Sequence, residues 1–310
     1  MMIQNIVVVS PMYKEIKKMI EQKNVSKNFR YVDEREVTQG DVNWADAFVG
    51  FNLQADLDYS NLKWVHSLGA GVDRFLYKKQ WNENVLLTRT ICSFGQRISE
   101  YCLSYILMDL QCHSEFKTLK SQKKWQPTTP KLLNNQKVMV YGTGEIGQTL
   151  AKTLSSFGVE VFGVSLSGKE KEYFKEVMTL NEHFPRLREM DYLINTLPLT
   201  EQTEKLFNDT LLNQVSQVGF INVGRGNSVD EKALLQALND NRIRFAVLDV
   251  FTQEPLPEDH EFWNQSNVWV TPHISAVTTP EEGVECFIDT LKNIEENKPL
   301  HNKVDVSKGY

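Results

Sequence analysis

The 310-residue chain contains no apolar run of about 18 residues, the length a membrane-crossing helix requires, so no membrane-spanning role is expected. It also lacks a basic excess. Its 34 Lys and Arg stand against 40 Asp and Glu, giving a net charge of -6 and a pI near 5.6. Nucleic acids and acidic membrane surfaces select a basic face, so neither is expected as a partner. Cysteine is scarce: Cys92, Cys102, Cys112 and Cys286 form no CxxC pair, which removes the usual spacing of a zinc or dithiol centre. Four scattered thiols read as buried small hydrophobes in a reducing, cytoplasmic compartment. No repeat or low-complexity tract interrupts the chain. Its start, "MMIQNIVVVSP", has neither the basic stretch nor the small-residue cleavage site of a secretion signal, and it reads as a first strand.

The composition is that of an ordinary globular protein, 41% apolar and 24% charged. A single core seldom organises more than roughly 200 residues, so two domains are expected. Short apolar runs alternate with helical periods throughout. "NIVVVS" (5–10) precedes the helical "YKEIKKMIEQ" (13–22), and "ADAFVGF" (45–51), "LKWVHSLGAGVD" (62–73) and "VLLTRT" (85–90) follow. A long helical stretch, "SEYCLSYILMDLQCHSEF" (99–116), leads through a polar, proline-containing segment (120–136) into a second unit. That unit has strands at 137–141, 159–165, 192–198, 218–224, 245–251 and 268–273, and a helix begins at Pro280. Such alternation predicts an α/β protein with two Rossmann-like or flavodoxin-like lobes, each a parallel sheet with flanking helices. The expected division is a first, substrate-binding domain at 1–94, rejoined by 284–310, and a dinucleotide-binding domain at 95–283. The active site is expected in the cleft between them.

The clearest local signal is "VMVYGTGEIGQTLAKTL", in which Gly142, Gly144 and Gly147 separate a strand from a helix. The first glycine permits a tight turn, the second close approach of a pyrophosphate, and the third close helix–strand contact, while helix N–H groups receive the anion. Gly142, Thr143, Gly144, Glu145, Ile146 and Gly147 are therefore the expected phosphate cradle. The next strand, "VEVFGVS", ends without the Asp or Glu that would bind a ribose 2′-hydroxyl. Ser165, Leu166, Ser167 and Lys169 follow instead. Ser165, Ser167 and Lys169 can hold a 2′-phosphate by hydrogen bonds and charge, so NADP(H) is favoured over NAD(H); a polar loop indifferent to the phosphate is the alternative.

Three further strand ends carry polar groups. In "INVGRGNSVDEKALLQAL", Arg225 lies between two glycines, and Ser228 and Glu231 are spaced as a capping box. A guanidinium there can grip a carboxylate through two hydrogen bonds, although an arginine in a glycine turn is more often a surface ion-pair residue. "LDVFTQEPLP" carries Glu254, and "VTPHIS" carries His273. Alone, His273 is open to three readings: packed side chain, metal ligand, or proton carrier. No second His or Cys stands at ligand spacing, so no metal is expected.

Together, "YGTGEIG", "NVGRG", "LDVFTQEPLP" and "TPHIS", with "LGAGVD" (68–73) and "LPLTEQT" (197–203), resemble the D-isomer-specific 2-hydroxyacid dehydrogenases, and among them the glyoxylate/hydroxypyruvate reductase-like members. The resemblance spans nearly the whole chain and is least specific over its first 60 or so residues. It implies an NAD(P)-dependent D-2-hydroxyacid dehydrogenase that reduces a 2-oxo acid, and a homodimer. By the same resemblance Arg225 binds the substrate's carboxylate and carbonyl oxygen, His273 protonates that oxygen, and Glu254 holds the imidazole. Leu68 and the N–H groups of Gly69, Ala70 and Gly71 serve the carboxylate, together with Arg225 and His273. Leu197, Pro198 and Thr203 line the cofactor cleft, and Val223, Gly224, Asp249 and Ser275 lie near the nicotinamide end. Glu254 argues against a formate dehydrogenase, which has glutamine there. Hydride addition to a ketone builds negative charge on oxygen, so a cation and a proton donor beside it are required on chemical grounds as well.

Side chains near Asn52, Leu53, Leu68, Tyr101 and Trp263 are expected to set substrate size. His66, just before the glycine loop, is a candidate for the pocket, whereas His113, His183, His260 and His301 read as surface or helix residues. The alternatives are a dinucleotide-sensing, co-repressor-like protein, and a phosphoglycerate dehydrogenase-like enzyme, for which a regulatory extension is wanting.

Overall fold

The computed structural model describes residues 1–54 and 56–310. The chain forms two compact units, one of Met1–Cys92 with Thr278–Tyr310, the other of Ser93–Val277.

In the first unit the elements run β1 (Asn5–Val9), α1 (Tyr13–Gln22), β2 (Asn28–Val32), α2 (Gln39–Trp44), β3 (Ala47–Gly50), β4 (Trp64–Ser67), α3 (Asp73–Leu76) and β5 (Leu86–Arg89). The strands are all parallel, in the order β2-β1-β3-β4-β5. This is the flavodoxin-like order. Strands covered by helices on both faces read as unbroken apolar runs rather than alternating ones, and β1, "NIVVV", does so. β2 escapes the sequence reading because "NFRYV" is an edge strand with little burial.

The second unit contains α4 (Phe94–Leu110), α5 (His113–Ser121), β6 (Lys137–Tyr141), α6 (Glu145–Ser156), β7 (Glu160–Val164), β8 (Glu176–Met178), β9 (Tyr192–Asn195), α7 (Asp209–Leu212), β10 (Val218–Asn222), α8 (Glu231–Asn239), β11 (Ile243–Leu248) and β12 (Val268–Val270). Its seven strands are parallel, in the order β12-β11-β10-β9-β6-β7-β8. Read outward from β6, this is the doubly wound arrangement, with its reversal point between β6 and β9. Two apolar layers flank the sheet. One packs Ile98, Cys102 and Ile106 of α4 with Leu150 and Leu154 of α6; the other packs Leu234 and Leu238 of α8.

The last helix, α9 (Pro280–Glu295), opens with a capping box between Thr279 and Glu282 and has Pro280 in its first turn. Its Val284, Phe287, Ile288 and Leu291 pack beside Ile6, Val8 and Trp64 in the first unit.

Several expectations are corrected. The helical stretch at 99–116 is two helices: α4 starts at Phe94, and the chain breaks at Cys112, whose φ is 56°. Cys112 donates its N–H to Asp109 O, and the left-handed residue turns the chain into α5. Ser228 does not cap α8. Asp230 does, accepting the N–H groups of Lys232 and Ala233, and Glu231 is drawn away to Thr252 and His260. Of the four thiols only Cys102 is buried; the other three are partly exposed, and none of the four is in a disulfide. His183 is buried, its Nδ1 facing Leu180 O at 2.9 Å, and His260 is half-buried, its Nδ1 accepting Phe262 N–H. His113 and His301 are exposed.

Candidate functional site

Ligands of open parallel sheets bind beyond the carboxyl ends of the strands, at the point where the strand order reverses. In the second unit that point joins the ends of β6 and β9, where Thr196 donates its N–H and its Oγ1–H to Tyr141 O, both at 2.9 Å.

The glycine turn follows β6 directly. Gly142 has a φ of 99°, a region that side chains disfavour. A Cβ on Gly147 would lie 1.8 Å from Gly142 O, so the start of α6 rests against the turn. Gly144 differs, because a Cβ there would meet no protein atom within 4 Å. Neither packing nor backbone strain asks for a glycine at that point. Close approach of a ligand does. Gly144 is also the N-cap of α6 and has no side chain to accept from the first turn's N–H groups, so they remain available to an anion. The cradle therefore fits a dinucleotide pyrophosphate.

After β7, Ser165 Oγ accepts Gly168 N–H at 3.2 Å and Ser167 Oγ accepts Lys169 N–H at 3.4 Å, closing a tight turn. Leu166, Ser167 and Lys169 are exposed on it. After β9, Thr203 is buried and donates to Pro198 O at 2.7 Å, bracing the turn that carries the half-buried Leu197 and Pro198.

The Arg225 turn is held by a buried polar network that the sequence reading did not identify. Asn195, at the end of β9, donates to Asn222 Oδ1 at 2.9 Å and to Ser228 Oγ at 2.7 Å. Asn222 Nδ2 and Ser228 Oγ both donate to Arg225 O, at 3.1 and 2.6 Å. Asn222 Oδ1 also accepts Gly224 N–H, and Arg225 Nη1 donates to Gly224 O at 2.8 Å. A signal was present: β9 and β10, both otherwise apolar, each end on asparagine. Val223 is buried in the core against α4.

Gly226 seats this turn on the next one, since a Cβ there would lie 1.9 Å from the Phe251 carbonyl carbon. Phe251 N–H in turn donates to Glu254 Oε1 at 3.0 Å, and Glu254 Oε2 stands 2.9 Å from His273 Nδ1. The His273 side chain is 42% exposed and that of Glu254 27% exposed. One carboxylate oxygen thus fixes the acid and the other faces the imidazole, so in the neutral ring Nδ1 keeps the proton and Nε2 is left outward.

His273 adopts a φ of 54°, uncommon for a residue other than glycine. Asp249 enforces it. Its backbone carbonyl accepts His273 N–H at 2.9 Å. Its Oδ1 accepts from Thr271 Oγ1 and Ile274 N, and its Oδ2 accepts from Ser275 N at 2.9 Å. Because the Thr271 hydroxyl donates to Asp249, Tyr101 O–H must donate to Thr271 Oγ1, 2.6 Å away. Asp249 is fully buried and Ser275 nearly so. Among the groups named for the nicotinamide end, these two hold the His273 loop.

In the first unit Leu68 lies in the core, and its carbonyl accepts from Thr278 Oγ1 at 2.8 Å. Ser67 Oγ accepts Gly69 N–H at 3.2 Å and reaches the carbonyls of Gly69 and Gly71. The N–H groups of Ala70 and Gly71 have no protein acceptor among the described residues, so this pair is available to a ligand, whereas Gly69 N–H is bonded to Ser67 Oγ. His66 is not a pocket residue. It is completely buried, because β4 is an inner strand with apolar layers on both faces. Burial holds its pKa down to about 3.

Among the described residues no cluster of His, Cys, Asp and Glu could hold a metal ion, and no helix is long and apolar enough to cross a membrane.

Residues 103–275 match the family model described as D-isomer specific 2-hydroxyacid dehydrogenase, NAD binding domain. The chain is 33% identical over 285 residues to glyoxylate/hydroxypyruvate reductase A of Salmonella newport (strain SL254), covering 89% of this chain and 91% of that one. A D-isomer specific 2-hydroxyacid dehydrogenase from Xanthobacter autotrophicus Py2, solved with NADPH and MES, superposes with a TM-score of 0.90 at 28% identity over 100% of both chains. An NADPH-dependent glyoxylate/hydroxypyruvate reductase from Sinorhizobium meliloti, solved with NADP and sulfate, gives a TM-score of 0.88 at 28% identity, covering 99% of this chain and 100% of that one. With its motifs, its two parallel sheets and these likenesses in accord, the chain belongs to the D-isomer specific 2-hydroxyacid dehydrogenase family.

Proposed function

We propose that this protein reduces a small 2-oxo acid of the glyoxylate or hydroxypyruvate kind to the D-2-hydroxy acid, using NADPH in preference to NADH. The observation that carries the reading is the His273–Glu254 pair, 2.9 Å apart, in the same unit as the glycine cradle. The nicotinamide, when bound, supplies hydride to the substrate's carbonyl carbon. His273 gives a proton from Nε2 to the carbonyl oxygen, while Glu254 accepts at Nδ1 and holds the ring in place. Arg225 offsets the charge on the carboxylate and on the oxygen that becomes an alkoxide. In the first unit, Ala70 and Gly71 carry N–H groups that can bind a carboxylate.

The preference for NADPH is supported by the end of β7, where Ser165, Ser167 and Lys169 stand in place of an acidic residue that would repel a 2′-phosphate. The relatives solved with NADPH or NADP point the same way. Four cysteines without a disulfide among them support a reducing, cytoplasmic setting. A homodimer is supported by exposed apolar side chains in and beyond α5, namely Phe116, Trp125 and Leu132. Sedimentation should then give twice the 35.8 kDa chain mass.

The test is turnover of a panel of 2-oxo acids with each cofactor, followed by nicotinamide absorbance. Glyoxylate or hydroxypyruvate with NADPH should give the highest kcat/KM, and His273→Ala should lower kcat about 100-fold or more while cofactor still binds. Cofactor binding with no turnover of any 2-oxo acid would overturn the reading, and equal kcat/KM for NADH and NADPH would overturn the cofactor preference.

A further inference from the structure

We infer that His66 is a positioning residue: a one-way hydrogen-bond chain, Trp64–Thr88–His66–Thr90–Ser67, sets the shape of the Gly69–Gly71 loop for the substrate's carboxylate. The inference rests on the reading of that loop given above.

The chain lies between neighbouring strands, with His66 of β4 directly opposite Thr88 of β5. Trp64 Nε1 is 2.8 Å from Thr88 Oγ1, and Thr88 Oγ1 is 2.8 Å from His66 Nδ1. On the other side of the ring, His66 Nε2 is 3.3 Å from Thr90 Oγ1, which is 2.9 Å from Ser67 O. An indole nitrogen only donates, so Thr88 receives its proton and passes its own to His66 Nδ1. Nδ1 is therefore bare, and the neutral ring carries its proton on Nε2. That proton goes to Thr90, whose hydroxyl proton goes to the Ser67 carbonyl. The opposite tautomer would leave the buried Thr88 hydroxyl proton without an acceptor among the described residues. Burial keeps the imidazole neutral, its pKa held down to about 3, so these roles persist at working pH. The ring is also packed near Trp64 and Phe287, with ring centroids 5.7 and 5.9 Å away.

The chain ends where the loop begins. Thr90 N–H donates to Ser67 O at 2.9 Å and lies 3.3 Å from Gly69 O. Thr90, the residue after β5, thus ties down both Ser67 and Gly69, and Ser67 Oγ reaches the carbonyls of Gly69 and Gly71. With the Gly69 and Gly71 carbonyls bonded within the loop, the N–H groups of Ala70 and Gly71 are left for a ligand. His66 touches no substrate atom in this scheme and acts through Thr90.

The experiment compares His66→Gln with His66→Leu. A glutamine amide has one acceptor and one donor on separate atoms and can restore the chain, whereas leucine fills the space with neither. In the wild type, ¹⁵N shifts should show His66 protonated at Nε2. His66→Leu should move the Ala70 and Gly71 amide resonances and raise KM for the 2-oxo acid about 10-fold, with kcat and cofactor Kd nearly unchanged. His66→Gln should return both to near wild-type values. A ring protonated at Nδ1, or a folded His66→Leu protein with wild-type KM and amide shifts, would overturn the inference. Where His66→Leu fails to fold, Thr90→Val removes only the hydroxyl link and is read in the same way. If the wild type turns over no 2-oxo acid, the functional reading fails, and the tautomer and amide shifts still decide the chain.

Discussion

Asp249 accepts from Thr271, Ile274 and Ser275 through its side chain and from His273 through its carbonyl, so this one residue fixes the loop that carries His273, the proposed proton donor. An uncommon backbone conformation persists only where its surroundings over-determine it, and here they do. Asp249→Asn would present an amide where an oxygen now accepts, leaving one buried donor without its partner at a cost of about 1–3 kcal/mol. Denaturant unfolding should show a loss in that range, and kcat should fall with cofactor affinity unchanged. Should cofactor affinity fall first, Asp249 contacts the nicotinamide end directly, as the family resemblance implies. Glu254 has a similar double use, with one oxygen on Phe251 N–H and the other toward His273. A carboxylate anchored at one oxygen is pre-oriented at the other, so it holds Nδ1 of the ring with little reorganisation while the Nε2 proton is transferred.

At the scale of elements, the junction of β6 and α6 separates two reasons for being glycine. Gly147 is required by the protein, because the helix start lies against Gly142 O. Gly144 is not required by any protein atom within 4 Å. Gly144→Ala should therefore keep the wild-type melting temperature within about a degree yet weaken cofactor binding about 10-fold or more. Gly147→Ala should lose stability and cofactor together. Calorimetry of the apo variants alongside cofactor titration distinguishes the two, and a Gly144→Ala protein with unchanged affinity would remove the pyrophosphate from this turn. The ends of β9 and β10 show the same economy, since Asn195 and Asn222 terminate apolar strands and spend their amides on the Arg225 turn.

At the scale of the whole molecule, stability should depend on pH through the buried histidines. His66 is held to about 3 from 6.5 by burial, and His183 is lowered by the same cause. Between about 3 and 6.5 the unfolded chain binds a proton at residue 66 that the folded chain refuses. Stability from this group is therefore full above 6.5 and declines as pH falls through that window, by about 1.4 kcal/mol per pH unit for one proton. Urea unfolding from pH 7 to pH 5 should show a shallower decline in His66→Gln than in the wild type. Identical slopes would mean that His66 is charged, or exposed, in the folded state.

The sequence by itself determined the parallel α/β class, because strands buried on both faces read as unbroken apolar runs between helical periods. It also determined the glycine turn, whose spacing follows from local backbone geometry. β2, the break at Cys112 and the cap at Asp230 were not legible, since edge strands carry little apolar signal and a turn's conformation depends on what packs around it. Only the tertiary structure decided which polar groups meet. Residues 195, 222 and 228 converge on Arg225, residues 249 and 271 to 275 form one loop network, and His66 faces two threonines across a strand pair. Hydrogen bonds are short and directional, so their partners follow from where strands lie side by side, which the order of residues along the chain does not state.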